Sequence, residues 1–262
     1  GTATTDVYRL VNGEGDRLSG LIVDVIGETV VVQSSALWCE KRRGDVEAAL
    51  ISALRDSSSG LVDDGADSKS KSVPTLLWRR AESRLRQDGG GIEEGLVDGA
   101  TGATSDAIDD NSSHPAPVVV SENGIKYHVD PRDGQKTGFY ADQRANRAMI
   151  GALSSGKSVL DTFCYTGGFA LSALKGGASA VTCVDSSAPA LEALEANMEL
   201  NGVDRSKVTV SKADAITHMQ ALLEDGGAGG QFDIVICDPP KLAPKRTALA
   251  KDNLLPVDMM MN

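Results

Sequence analysis

Four features able to build a ligand site recur at regular intervals in the second half of the chain. They are the turn Thr166-Gly167-Gly168 and the carboxylates Asp185, Asp214 and Asp238. Each follows a short β-branched or apolar run: Ser158–Phe163, Ala180–Val184, Lys207–Ser211 and Phe232–Cys237. If those runs are parallel strands of one sheet, all four features fall on its carboxyl edge. Doubly wound sheets bind ligands at that edge, near the switch in strand order. A carboxylate after the second strand can accept hydrogen bonds from both hydroxyls of a ribose. Asp185 occupies that position, 24 residues beyond Asp161.

Asp185 alone does not separate a dinucleotide from S-adenosylmethionine. A dinucleotide site wants G-x-G-x-x-G after the first strand, so that a pyrophosphate can approach the helix N-terminus. The chain has Cys164-Tyr165-Thr166-Gly167-Gly168-Phe169 there, with two adjacent glycines only. An NAD-dependent dehydrogenase is therefore a distant reading. Asp238-Pro239-Pro240 points the other way. Two prolines after a buried strand fix the backbone and remove two N–H donors. The carbonyls before them and the Asp238 side chain are left to face the crevice, which suits docking a flat base edge beside a methyl donor.

The elements that must position these groups are legible in the same region. Between the strand runs lie helices beginning at Phe169, spanning Ala188–Leu200, and covering residues 214–224. Leu191, Leu194 and Met198 share one face of the second, and Asn201-Gly202 ends it. Strands alternating with helices imply a parallel, doubly wound α/β sheet, here with about four strands.

Upstream, Leu21–Ile26 and Thr29–Gln33 flank Gly27-Glu28 and predict a hairpin. Residues 37–55 predict an amphipathic helix, and Thr75–Trp78 a strand that completes a small α/β domain over residues 7–80. Residues 56–73 and 79–116 are rich in Gly, Asp and Ser and read as solvated loops, so that 81–117 forms an acidic insertion or linker. Val118–Val129 predicts a second hairpin around Asn123-Gly124, the pair favoured in two-residue turns. The hairpin opens a domain over 118–262, and a helix is expected at about Asp142–Leu153.

Composition narrows the function classes. The chain has 262 residues and a net charge of −11, which argues against a broad basic surface. Residues 56–117 hold 12 acidic and 6 basic residues, more than half of that excess. Lys126, Arg132, Lys136, Arg144 and Arg147 gather before the parallel sheet and could form a local basic patch. Arg79, Arg80, Arg84 and Arg86 read as a solvated helix face rather than as phosphate contacts. No apolar run reaches the roughly 18 residues of a membrane span, so no membrane association is expected. The four cysteines lack close pairing, and His114, His128 and His218 form no metal-ligand set. No metal is expected, and a reducing compartment fits.

The segments Asp161–Phe169, Val184–Ser187, Asn197–Gly202 and Cys237–Leu242 resemble class I S-adenosylmethionine-dependent methyltransferases. More narrowly they resemble the bacterial large-subunit ribosomal RNA cytosine-5 methyltransferases and their plant relatives. Gly134–Arg144 is similar to that family's signature segment, and residues 13–24 to its small central domain. The resemblance implies a Rossmann-like methyltransferase sheet preceded by the small α/β domain and the hairpin. It implies S-adenosyl-L-methionine as cofactor and ribosomal RNA as partner. Phe163, Tyr165, Thr166, Gly167 and Gly168 would approach the methionine part, and Asp185 with Ser186 the ribose. Asp214 and Ala215 would meet the adenine. Asp238, Pro239 and Pro240 would lie at the sulfonium and the target base. Gln135, Lys136, Phe139, Tyr140 and Arg144 would cover the substrate.

Cytosine-5 chemistry needs a thiolate to add to C6 of the base. The family carries it in a motif after the fifth strand, and no residue here matches that cysteine. Cys164 and Cys237 read as small hydrophobic residues rather than nucleophiles. The family's N-terminal RNA-binding domain is likewise unmatched. The chain is expected to be a fragment, or a variant with an altered terminus, that carries the cofactor-binding half and transfers no methyl group to cytosine by itself. Two alternatives stay open: methylation of an exocyclic base amine, which needs no cysteine, and a non-catalytic cofactor- or RNA-binding module. A homodimer is left open, as is a cytoplasmic, chloroplast or mitochondrial location.

Overall fold

The computed structural model describes residues 4–59, 75–81, 84–85, 100–101, 117–132, 136–224 and 232–240. The chain divides into two compact units, Gly1–Ala148 with Glu199–Asn201, and Met149–Met198 with Gly202–Asn262.

The first unit is built on strands β1 (Val7–Asn12), β2 (Leu21–Ile26) and β3 (Thr29–Ser34), helices α1 (Leu37–Lys41) and α2 (Arg43–Ser59), and strands β4 (Thr75–Arg80) and β5 (Ala100–Thr101). The strands follow the order β1-β2-β3-β4-β5. All neighbours are antiparallel except β3 and β4. A parallel pair needs a long crossover, and here it contains α1 and α2. Leu21, Val23 and Val25 alternate onto one face of β2 and pack with Val30, Val32, Leu76 and Trp78. Cys39 and Leu50 close that core from the helices. The same alternation sends Asp24 to the opposite face, where it is also fully buried.

A second hairpin, β6 (Val118–Glu122) and β7 (Ile125–Val129), belongs to this unit. Asn123 and Gly124 both have positive φ, 51° and 73°, as a type I′ turn requires. A short 3₁₀ turn, Ala141–Gln143, then leads into α3 (Arg144–Leu153).

The second unit alternates β8 (Ser158–Asp161), α4 (Gly168–Lys175), β9 (Ala180–Asp185), α5 (Ala188–Leu200), β10 (Val208–Lys212), α6 (Ala215–Glu224) and β11 (Ile234–Ile236). Its sheet is parallel throughout, in the order β10-β9-β8-β11. The chain runs outward from β8 to β10 and then returns to the other side of β8. The order therefore switches between β8 and β11, and Rossmann-like topology follows as expected.

Several expectations are corrected. The helix over 37–55 breaks at Arg42, and its second part continues through Ser57-Ser58-Ser59, which had read as loop. Strands β1 and β5 were not anticipated. In β1 the polar Arg9 and Asn12 dilute the apolar pattern, and β5 is only two residues long. Arg79 and Arg80 end strand β4 rather than lining a helix, and Arg80 Nε is bound to Glu40 Oε2 at 2.9 Å. Most of the acidic tracts, with Arg86, His114, Gln135 and the sequence after Pro240, lies outside the described residues. Among the described residues no helix is long and apolar enough to cross a membrane.

Candidate functional site at the carboxyl edge of the parallel sheet

Parallel strands deliver their carboxyl ends to one edge, and each of the four strands of the second unit is followed there by an aspartate. Asp161 ends β8, Asp185 ends β9, Asp214 lies two residues beyond β10, and Asp238 two residues beyond β11.

Asp185 is the best-held member. Its Oδ2 accepts the Tyr165 N–H and its Oδ1 the Ser187 N–H, each at 2.9 Å. Each oxygen keeps a further lone-pair direction. The β8–α4 turn is thus tied to the end of β9, and the Cys164 N–H adds a bond to Val184 O at 3.1 Å. Tyr165 and Gly167 have φ of 49° and 87°. At Gly167 a Cβ would collide with Leu194 Cδ1, so that position requires glycine on two counts. Asn197 of α5, fully buried, donates to Thr166 O at 3.0 Å. Phe163, Thr166 and Gly168 are half-buried in the same turn, and Ser186 is exposed beside it.

Asp161 differs from the others. It is 1% exposed, and its Oδ2 has no hydrogen-bond partner among the described residues. Burial pushes its carboxyl up to about 7, against the Ala170 N–H at the start of α4, with the charges of Asp185 and Asp238 adding to the rise. An uncompensated buried carboxyl at a strand end marks a functional-site candidate.

Asp214 caps α6. Its Oδ1 accepts the Thr217 N–H at 2.9 Å, and this hydrogen bond lowers its pKa. Ala215 is buried just behind it. Asp238 and Pro240 are exposed and Pro239 is half-buried. Thr162, just past the end of β8, holds Ile236 O through both its N–H and its hydroxyl, at 3.1 and 2.8 Å. The switch point is thereby closed just before Asp238.

Cys164 is the small buried residue the sequence predicts, whereas Cys237, read in the same way, lies at the surface because it is past the end of β11. Cys39, Cys164 and Cys183 are buried and Cys237 is exposed. A hydrogen bond with the Cys183 thiol, together with burial, drives the Cys164 thiol strongly upward, away from thiolate. Among the described residues no cluster of His, Cys, Asp and Glu could hold a metal ion.

The residues expected to cover the substrate lie in the first unit. Lys136 is exposed, with φ of 55° and Nζ 4.1 Å from the Tyr140 ring centroid. Its Nζ also pairs with Asp142 Oδ2 at 2.9 Å. Tyr140 is half-buried and Arg144 exposed. Phe139 is 6% exposed, 5.1 Å from the Tyr127 ring and beneath Arg147. Its sequence allows base stacking or core capping, and its packing is that of a core residue. Arg147 leaves the basic patch too, because it is buried in a two-pronged pair with Glu122, both contacts at 2.7 Å.

Two residues of the site carried little signal in the sequence. The sequence at Asp161 suits an organiser of the cofactor loop and a strand-end turn residue equally. Asn197 had one cue: a poor helix former inside α5, on the face shared with Leu194 and Met198.

The sequence profile of the S-adenosylmethionine-dependent methyltransferases matches residues 105–255. The "Ribosomal RNA large subunit methyltransferase I" of Shewanella amazonensis is 34% identical over 242 residues, covering 92% of this chain and 53% of that protein. The protein of the same name from Escherichia coli O139:H28 is 35% identical over 245 residues, covering 93% and 54%. The chain thus spans about half the length of the curated relatives it matches. Among solved structures, a protein crystallised as a complex with SAH superposes with a TM-score of 0.69 at 23% identity, covering 93% of this chain and 54% of that one. The SAM-dependent methyltransferase from Agrobacterium tumefaciens gives 0.55 at 17%, covering 92% and 61%. At these identities the structural likeness bears on the fold alone.

Proposed function

The chain belongs to the S-adenosylmethionine-dependent methyltransferase family, and from that premise we propose that it binds S-adenosylmethionine at the carboxyl edge of its parallel sheet and serves methylation of large-subunit ribosomal RNA. The observation that carries the cofactor reading is Asp185, a strand-end carboxylate held by two backbone N–H groups with an acceptor direction spare on each oxygen. That arrangement fits two ribose hydroxyls. The orphaned Oδ2 of Asp161 fits the same ligand, because a donor carrying positive charge would complete a buried carboxyl that has only one oxygen satisfied.

The bound cofactor supplies an electrophilic methyl group on a sulfonium. The chain's own residues bind and orient. Phe163, Tyr165, Thr166, Gly167 and Gly168 form the turn for the methionine part, with Ser186 beside the ribose. Asp214 keeps Oδ2 for the exocyclic amine of adenine while Oδ1 caps α6, and Ala215 backs it. Asp238, Pro239 and Pro240 frame the target base. Gln135, Lys136, Tyr140 and Arg144 face the RNA, with Phe139 as the packed support beneath them.

The finer reading is that the methylated atom is C5 of cytosine, supported by the resemblance of residues 134–144 and 161–169 to the cytosine-5 enzymes. The attacking thiolate that this chemistry needs is not Cys164, which is buried and held as a thiol. The protein acts where large-subunit ribosomal RNA is found.

Calorimetric titration with S-adenosylhomocysteine tests the cofactor site. The parent should bind, and Asp185→Ala should weaken binding at least about tenfold, the effect of losing one charge-assisted hydrogen-bonding group. A folded parent that does not bind overturns the cofactor reading. Labelled methyl transfer to large-subunit ribosomal RNA, followed by digestion to nucleosides, tests the target. Label in 5-methylcytidine is expected, and label on an exocyclic amine overturns the cytosine-5 reading.

A further inference from the structure

Strands β1 and β2 carry a charged chain that the fold does not need for its apolar core. Asp24 is fully buried on the face of β2 opposite Val23 and Val25. Arg9 of β1 grips it with Nε to Oδ1 at 2.8 Å and Nη2 to Oδ2 at 3.1 Å. The remaining acceptor capacity of Asp24 Oδ2 goes to a residue 113 positions away, the buried Thr137, whose hydroxyl donates at 2.5 Å. On its other side Arg9 Nη1 lies 3.9 Å from Asp142 Oδ2, and the same carboxylate oxygen takes Lys136 Nζ at 2.9 Å. Lys136 Nζ in turn lies over the Tyr140 ring.

These contacts bracket one short segment. Thr137 is pinned from below, and Lys136 and Asp142 are held at its two ends. The segment has a left-handed backbone at Lys136, a conformation that persists in a non-glycine residue only when its surroundings over-determine it. At Gly138, with φ of 104°, the backbone passes so close to Asp130 O that a Cβ would collide with it. The buried pair, a carboxylate shared by two cations and a glycine-only crossing together fix where Lys136 and Tyr140 sit.

We propose that Asp24, Arg9 and Thr137 are positioning residues for RNA recognition, and that the five-stranded sheet is the platform on which the Lys136–Arg144 segment is aimed at the substrate. The assignment rests on the reading of that segment as RNA-facing. Asp24 and Thr137 are buried and act on RNA only through the residues they hold. Lys136, Tyr140 and Arg144 make the contacts.

The test uses the full 262-residue chain and a transcript of large-subunit ribosomal RNA, with affinity read by fluorescence anisotropy. S-adenosylhomocysteine affinity and the melting midpoint are measured in parallel. Thr137→Val keeps the side-chain shape and removes the hydroxyl. It should weaken RNA binding about tenfold, the scale of one charge-assisted hydrogen bond, with cofactor affinity unchanged. Thr137→Ser should restore RNA binding, and Asp24→Asn should match Thr137→Val. If Asp24→Asn does not fold, Thr137→Val decides, since it leaves the Arg9–Asp24 pair intact. RNA binding at parental strength by Thr137→Val overturns the proposal while the RNA-facing reading stands. Parallel loss of RNA and cofactor affinity also overturns it, as a general folding defect. A parent chain that binds the transcript no better than heparin overturns the RNA-facing reading, and the platform role with it.

Discussion

The two units treat buried carboxylates in opposite ways. In the first, the buried carboxylates Asp24 and Glu122 are paired with Arg9 and Arg147, and the half-buried Glu40 with Arg80. In the second, the ion pairs among the described residues, Lys157–Asp233 and Arg205–Glu195, are solvent-exposed. The one deeply buried carboxyl among its described residues, Asp161, has an oxygen with no partner there. A buried charge that already has its counter-ion is part of a scaffold. One left incomplete raises the energy of the empty site and is relieved by a ligand. On the reading proposed above, the first unit positions the RNA-facing segment and the second takes up the cofactor.

Breaking a completed pair should have the largest effect. Glu122→Gln leaves the Arg147 guanidinium buried without its charge partner, and should cost about 3–5 kcal/mol of stability in denaturant unfolding followed by circular dichroism. A loss below about 1 kcal/mol would mean that water reaches the pair and that the contrast is weaker than drawn.

Asp161 should behave in the reverse sense. Its carboxyl stays neutral in the folded unit up to about 7, whereas in an unfolded chain it ionises near 4. Between those values the folded state binds the extra proton. Its stability is full below the unfolded pKa and falls as pH rises through the folded one, by up to about 1.4 kcal/mol per pH unit. Asp161→Asn should remove that slope, measured as the pH dependence of amide exchange in β8 and β9. A slope that survives the substitution would assign it to another group. At the small end, Arg42 and Asp45 form an exposed pair on the helices of the first unit. Arg42→Ala should shift stability by less than about 0.5 kcal/mol in the same denaturant assay.

The parallel sheet was the more legible half. Its strands are short apolar runs separated by helices with clear stops, so Ala188–Leu200 and the ends of β9 and β10 fall within a residue of where the sequence puts them. The Asn123-Gly124 turn was equally plain, because two left-handed residues in a row leave few alternatives. The first unit was harder to read. Its helix breaks at Arg42 with only Gly44, two residues on, to announce it, and β1 is recognisable only through its pairing with β2. In the site, Asp185 could be read from strand-end spacing. Thr137, Asn197 and Arg9 could not, since each works through a partner 31 or more positions away, or across a strand pair whose register only the fold sets. Phe139 stays open in the sequence because an aromatic beside cationic residues has the same composition whether its ring faces solvent or the core.

Both tryptophans, Trp38 on α1 and Trp78 on β4, belong to the first unit. Trp78 is buried, with Nε1 bound to Glu40, while Trp38 is partly exposed, with Nε1 bound to Ser19 O. Intrinsic tryptophan emission is therefore a private reporter of the first unit and leaves the second dark. A melt followed by fluorescence tracks the first unit alone, and one followed by backbone amides tracks both. Any gap between the two curves measures how independently the halves unfold.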